Sequence, residues 1–428
     1  MKTMKLALLG GAALAVMTAG AQADDLSALK AQIESLNARV AQMEAAPAVP
    51  AGYSLLTISE GTQQVIPGLE VLRKDALAVG NKATVIGILP TADAPATTEI
   101  VWSGYARAAL VYVSNQGGDD DIDVYARGQI AVTGKTETAV GEVGANIEFR
   151  GDFDGNRIRG YNLSLDSNGT HDVYIENAWG YWAMTPELTL GGGFTASLGN
   201  IGYGYDGACN CYYTDAADVA FDPGRTSQMR LSYASGPFSA AIALEDASGS
   251  LPDAGSATDG PTKWGDGNDL GVAAEIRYSG DTVSGEISGV YRNVSGDAGG
   301  PTHNREFEDV YQVGMGLGFA LGDMASLSLA GAMGQVNNGQ DYWGVSALAS
   351  MNLSDAVHAE IAAGIKDYNN DVNNNWAHAA SADVTAVLAG IYYDPVSQLT
   401  IGLEGEYINP EGGSNNSFQV DLVTVFRF

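Results

Sequence analysis

The chain has 428 residues, 21 Lys+Arg against 51 Asp+Glu, a formal net charge of -30, 17% charged residues and 55 glycines, whereas soluble domains carry about a quarter charged residues and about 7% glycine. The acid excess argues against a nucleic-acid partner, which needs clustered Lys and Arg, and 2 cysteines exclude both a disulfide scaffold and a four-cysteine zinc site. No apolar run reaches the roughly 18 residues of a helical membrane span, but membrane β-strands of about 9 to 11 residues, apolar at every second position, stay open.

Met1 to Ala23 carries Lys2 and Lys5, an apolar stretch from Leu6 to Met17, and Ala21-Gln22-Ala23 ahead of Asp24. This is a secretory signal peptide over residues 1–23. Cleavage there removes two positive charges and no acid, so the formal charge moves from -30 to -32.

Over residues 24–46, Leu26, Leu29, Ile33, Leu36, Val40 and Met43 follow the alternating three- and four-residue spacing of a heptad seam, and Pro47 and Pro50 end it. One helix of that length is marginal alone, so the seam predicts a self-associating coiled coil; the alternative is an amphipathic helix lying on another surface. By the simplest a/d rule these residues favour a dimer. Residues 47–98 hold two short strand-like runs, Tyr53 to Ser59 and Ala83 to Leu89, among prolines at 67, 90 and 95. A small periplasmic module, a linker and a plug inside a pore are the readings, in that order of preference.

From residue 99 to 428 the pattern has period 2, the strand signature. Ile122, Val124, Ile130 and Val132 oppose Asp123, Arg127, Gln129 and Thr133; Val143, Ile147 and Phe149 oppose Glu142, Asn146, Glu148 and Arg150. Sixteen such segments can be placed, joined alternately by tight turns and by long Asp-, Asn- and Gly-rich loops. An even count with that alternation predicts an all-β fold, a 16-stranded antiparallel transmembrane β-barrel whose apolar parity faces outer-membrane lipid. Trp102, Trp179, Tyr181, Tyr233, Trp343 and Tyr392 fall near strand ends, where interfacial girdles are expected.

The last strand alternates Phe418, Val420, Leu422, Thr424, Phe426 and Phe428 with Gln419, Asp421 and Arg427. With that C-terminal Phe428 and the opening Ser103-Gly104-Tyr105-Ala106-Arg107, residues 99–428 resemble a Gram-negative general diffusion porin of the alphaproteobacterial family. The resemblance implies a homotrimer, recognition of Phe428 by the outer-membrane barrel assembly machinery, and passage of small hydrophilic solutes. It also implies that the loop after the fifth strand folds inward and opposes a basic wall. Counting strands puts that loop at 199–225, with Asp206, Asp215, Asp218 and Asp222. Arg107, Arg127 and Arg150 lie on the polar parity of three successive strands, and Arg230 extends them. The plainer alternative pairs each arginine with a wall carboxylate such as Glu142 or Glu148. The remaining polar parity is mainly acidic, which predicts a mild cation preference.

Cys209 and Cys211 leave three states open: a loop-tightening disulfide, free thiols or a metal pair. Asp119-Asp120-Asp121 and the run from Asn369 to Asn375 carry calcium-type oxygen ligands but read as solvated loops. No cofactor and no metal is expected. No nucleophile framework accompanies the four His residues, so an enzyme is not expected. Two alternatives to a general porin are a sugar-selective channel, with Tyr203, Tyr205, Tyr212 and Tyr213 as a guide for sugar rings, and a tether from the outer membrane to peptidoglycan through residues 24–98.

Overall fold

The computed structural model describes Ile33 and residues 54–69, 74–89, 97–115, 120–153, 173–202, 205–209, 211–214, 224–247, 270–296, 306–336, 340–368, 384–410 and 416–428. The signal peptide over 1–23 and the coiled coil over 24–46 lie outside these residues, apart from Ile33, which is helical and exposed.

Two strands precede the barrel, β1 (Leu55–Thr62) and β2 (Lys82–Leu89), and they pair with each other. The barrel strands are β3 (Thr98–Asn115), β4 (Asp121–Thr138), β5 (Gly141–Phe153), β6 (Val173–Ala183), β7 (Leu188–Ala196), β8 (Arg225–Ser235), β9 (Phe238–Asp246) and β10 (Leu270–Ser279). They continue as β11 (Val283–Gly296), β12 (Glu306–Ala320), β13 (Ala325–Val336), β14 (Gln340–Ser354), β15 (Val357–Tyr368), β16 (Val384–Val396), β17 (Leu399–Pro410) and β18 (Ser417–Arg427). Each pairs antiparallel with the next, and β18 pairs with β3, so the sixteen strands close on themselves and leave no edge.

Closure is made at the seam by reciprocal bonds: the Gly104 amide donates to the Phe428 carbonyl at 3.2 Å and the Phe428 amide to the Gly104 carbonyl at 3.0 Å. The two parities then separate as the alternation predicts. Leu110, Ile122, Val124, Ile147, Leu244, Met315, Val345, Leu403 and Phe426 are exposed on the outside. Ser103, Arg107, Gln129, Asn146, Glu148, Glu245, Glu286 and Glu404 are buried on the inside.

Three aromatic residues expected in the outer girdles face inward instead: Trp179, Tyr181 and Tyr392 are buried. A register shift between Glu148 and Phe149, opposite Asn177 and Ile175, puts Glu176 and Asn177 both inside. Such a bulge reverses the facing of everything after it. Trp179 and Tyr181 therefore join the lumen face, and Trp182 takes the outer position. Tyr392 fits inside over Gly390 and Gly402, where a Cβ would meet its ring at 2.8 Å. The turn expected at Asp394-Pro395 falls later, because β16 runs on to Val396 past an irregularity between Tyr393 and Val396.

The seam can be tested at Gly104, whose Cβ would overlap the Phe428 ring and come within 2.8 Å of the Gln129 carbonyl. Gly104→Val is expected to destabilise the folded barrel by about 1–3 kcal/mol, the usual cost of overpacking. A lowered temperature for loss of the compact, heat-modifiable band on gels would measure it.

Candidate functional site

Two internal bodies line the lumen. The first is the wall of β3, β4 and β5. Arg107 sits opposite Arg127, and Arg127 opposite Asp152, so the three expected arginines do lie on neighbouring strands. Their charges are spent locally. Arg127 pairs with Asp152 through Nε; Arg150 reaches Asp152 Oδ2 at 3.0 Å and Glu176 Oε1 at 3.2 Å. The pairing carboxylates differ from those the plainer alternative named: Glu142 accepts from Tyr181 at 2.8 Å and Glu148 from Gln129 at 2.7 Å.

Arg107 is 3% exposed, and its Nε and Nη1 meet no hydrogen-bond partner among the described residues. Its guanidinium carbon lies 4.7 Å from the centre of the Tyr213 ring and 5.6 and 5.8 Å from those of Tyr105 and Tyr212. Ring faces attract the cation in place of a carboxylate. Arg230, on β8, is also buried: it donates to the Gly68 carbonyl at 2.8 Å, the Ala196 carbonyl at 2.9 Å and Gln228 Oε1 at 2.7 Å.

The second body is the connection from β7 to β8, residues 197–224, the one that strand counting selects. Its described parts run inside the barrel and are tied down by carboxylates from β9, β11 and β17. Glu245 on β9 accepts from Ser197 Oγ at 2.8 Å and the Leu198 amide at 3.1 Å; Glu286 on β11 accepts from the Gly202 amide at 2.7 Å. Glu404 on β17 accepts from the Tyr212 and Tyr213 amides at 2.6 and 2.9 Å and from Tyr392 Oη at 2.9 Å. Between them, Ser346 on β14 donates to the Asp206 carbonyl at 2.6 Å. At Gly316 on β12 a Cβ would come within 2.6 Å of Tyr205 Cβ, so only glycine lets the loop backbone lie flat on the wall there.

Cys209 and Cys211 are disulfide-bonded and buried, with the sulfur of Cys209 3.7 Å from Glu360 Oε2. The carboxylate of Asp206 accepts from the Ala208 amide at 3.2 Å within the loop itself. Asp215, Asp218 and Asp222 lie outside the described residues.

Residues 63–69 and 74–78, between β1 and β2, also sit inside the barrel. Gln63 Nε2 donates to Ser103 Oγ and Ser103 Oγ to the Ala76 carbonyl, both at 2.7 Å. Trp179 Nε1 donates to the Pro67 carbonyl at 3.2 Å, and Lys74 Nζ to the Cys211 carbonyl at 3.2 Å. Ile66, Leu69, Ala76 and Leu77 pack with Tyr105, Val111, Tyr125, Trp179, Tyr181 and Val423, with Tyr212 and Tyr213 against the cluster. Sequence reasoning singled out no residue of this segment as an interior group. Sequence reasoning also missed Glu245 and Trp179 as interior groups. Its place on β9 opposite the parity of Ile242 and Leu244 was the legible signal for Glu245, whereas the bulge hid Trp179.

No protein-family model matches the sequence, and no curated protein matches it. Solved structures do. The outer membrane channel DcaP of Acinetobacter baumannii aligns with TM-score 0.58 and 16% identity, covering 77% of this chain and 97% of that one. OprB of Pseudomonas putida gives 0.56 and 11%, covering 77% and 94%, and an anion-selective porin from Comamonas acidovorans gives 0.53 and 10%, covering 77% and 100%. The chain thus has the fold shared by outer-membrane channels and porins.

Glu404 is the strongest single anchor of the loop among the described residues, and hydrogen bonds to a charged group are worth about 1.5–3 kcal/mol each. Glu404→Ala is expected to cut the hydrogen-exchange protection of the Tyr212 and Tyr213 amides by about ten- to a hundredfold. Unchanged protection in the peptides covering 205–214 would show that the loop is held elsewhere.

Proposed function

We propose that this protein is an outer-membrane porin, a water-filled channel for passive diffusion of small hydrophilic solutes and ions. The observation that carries this is a closed sixteen-strand barrel, apolar outside and polar inside, crossed internally by the loop between its fifth and sixth strands. A lumen lined with charged and amide side chains suits water and hydrated solutes, and an inward loop narrows it so that size and charge filter what passes. The bonding potential of the lumen groups is largely taken up by the protein itself, which suits passage without tight holding.

The narrower parts of the proposal rest on sequence. Ser103 to Arg107 and the terminal Phe428 support the alphaproteobacterial porin family, and Phe428 supports recognition by the barrel assembly machinery. The seam from Leu26 to Met43 supports a periplasmic coiled coil within reach of peptidoglycan, and the porin resemblance, rather than the seam, supports a homotrimer. The filter would set Arg107, Arg127, Arg150 and Arg230 against Asp206, Asp215, Asp218 and Asp222. Paired as they are, Arg127 and Arg150 would shape the wall's field more than they bind ions. The excess of lumen carboxylates supports a mild cation preference.

Against the sugar-channel alternative, Tyr212 packs on Tyr392 with ring centres 5.7 Å apart and Tyr213 on Tyr125 at 6.4 Å, so two of the four guide tyrosines are engaged within the protein. In planar bilayers, conductance is expected to rise in proportion to bulk salt, and the reversal potential under a salt gradient to show mild cation selectivity. Saturating, sugar-blocked conductance would favour the selective channel, and clear anion selectivity would overturn the charge argument.

A further inference from the structure

Interior residues 63–69 and 74–78 are held by the barrel through a recurrent chemistry. Three wall groups donate to the segment's backbone carbonyls: Trp179 Nε1 to Pro67, Arg230 Nη1 to Gly68 and Ser103 Oγ to Ala76. Between those donors the wall presents aromatic rings to apolar side chains, Ile66, Leu69 and Leu77 against Tyr105, Tyr125, Trp179 and Tyr181. Carbonyl-directed donors spaced along an aromatic face recognise a peptide backbone, here one folded by turns in which the Leu69 amide donates to the Ile66 carbonyl and the Ala78 amide to the Asp75 carbonyl, both at 3.1 Å. Arg230 is itself fixed by Gln228 Oε1 and the Ala196 carbonyl, so its donor to the segment is pre-aimed.

Gly68 shows how close the fit is. It has φ +71°, and a Cβ there would lie 3.4 Å from the Trp179 ring and 3.5 Å from Ser232 Oγ. The left-handed backbone is what calls for glycine, and the wall lies at ordinary van der Waals distance from where a Cβ would sit.

The segment also covers the functional geometry. It lies against the wall that carries Arg107 and Arg230, and it touches the inward loop directly, through Lys74 Nζ to the Cys211 carbonyl at 3.2 Å. We infer that the lumen face around Ser103, Trp179 and Arg230 is a peptide-binding site whose resident occupant is the chain's own residues 63–69 and 74–78, a displaceable plug that sets how far the channel opens. This rests on the channel reading above.

Displacement is favoured by an incomplete pairing at the plug's buried acid. Asp75 is 4% exposed, its Oδ2 has no hydrogen-bond partner among the described residues, and among those residues it forms an ion pair with Arg225 Nη2 only at 4.0 Å. Arg225 bonds Glu176 at 2.5 Å instead. A buried carboxylate so weakly matched costs free energy in the docked state.

Asp75 is faced by Glu148 and Arg150 on β5, Glu176 on β6, Arg225 on β8, Tyr105 on β3 and its neighbour Lys74. Burial first, then the charge of Glu176, hold its carboxyl above the usual carboxylate range, against the pull of Arg225, Arg150 and Lys74. An acid with a raised docked-state pKa takes up a proton on docking. Docking therefore tightens as pH falls from neutral toward the free carboxylate value of about 4.

The experiment is single-channel recording of the full-length protein beside two variants, Gly68→Val and a chain in which 63–69 and 74–78 are replaced by Gly and Ser. Both variants are expected to show a several-fold larger unit conductance or open fraction than the unmodified protein. A synthetic peptide of sequence 63–78 is expected to close the Gly/Ser variant again, and a scrambled peptide to leave it open. Lowering the pH should close the unmodified protein further, with Asp75→Asn insensitive over the same range. Equal conductance in all three proteins, or equal effects of the two peptides, overturns the plug while leaving the channel standing. No conductance from any of them sinks the channel reading itself. Gly68→Val changes one interior side chain, so it still reports if the larger replacement does not fold.

Discussion

Everything in this molecule depends on satisfying backbone polar groups where no water can reach them. A strand in a hydrocarbon layer keeps its amides and carbonyls paired only if both neighbours are strands, and a sheet with edges cannot do that. The pairing of β18 with β3, finished by the two bonds between Gly104 and Phe428, removes the edges. Once the ring closes, alternation assigns every side chain either to the outside or to the lumen, and the acid-rich composition follows from having a polar interior as well as polar loops.

The same rule governs the lumen. Polar side chains enclosed there still need partners, and the barrel supplies them with its own chain. Glu245, Glu286 and Glu404 take amides of the β7–β8 connection, and Trp179, Arg230 and Ser103 give donors to the segment between β1 and β2. The two bodies meet at Cys211 and Lys74. The lumen is thus organised by carboxylates that hold one body and by donors that hold the other. Net charge alone would have suggested a simpler wall, basic on one side and acidic on the other.

The glycine excess also finds physical reasons within this frame. Gly316 lets the loop lie on β12, Gly390 and Gly402 make room for the inward Tyr392, and Gly191 lies under the Trp179 ring. These are places where an added Cβ would collide with a partner that the sequence does not put nearby. High glycine content read as a departure from soluble composition; in three dimensions it is the space in which the interior bodies fit.

Period-2 alternation determined by itself that residues 99–428 form sixteen strands with one greasy and one polar face. Together with the porin resemblance, it also selected the connection that folds inward, because strand order and loop length are local properties of the chain. It placed Arg107, Arg127 and Arg150 on one wall for the same reason. Only the tertiary structure decided what those arginines meet. Asp152 keeps the alternation of β5, but Glu176 sits in a bulge that no periodicity reveals, and that bulge turned Trp179 and Tyr181 from the lipid to the lumen. It also decided the place of residues 63–69 and 74–78: their partners on β3, β6 and β8 lie 27 to 162 residues away along the chain, and contacts at such separations leave no repeating mark in the sequence that makes them.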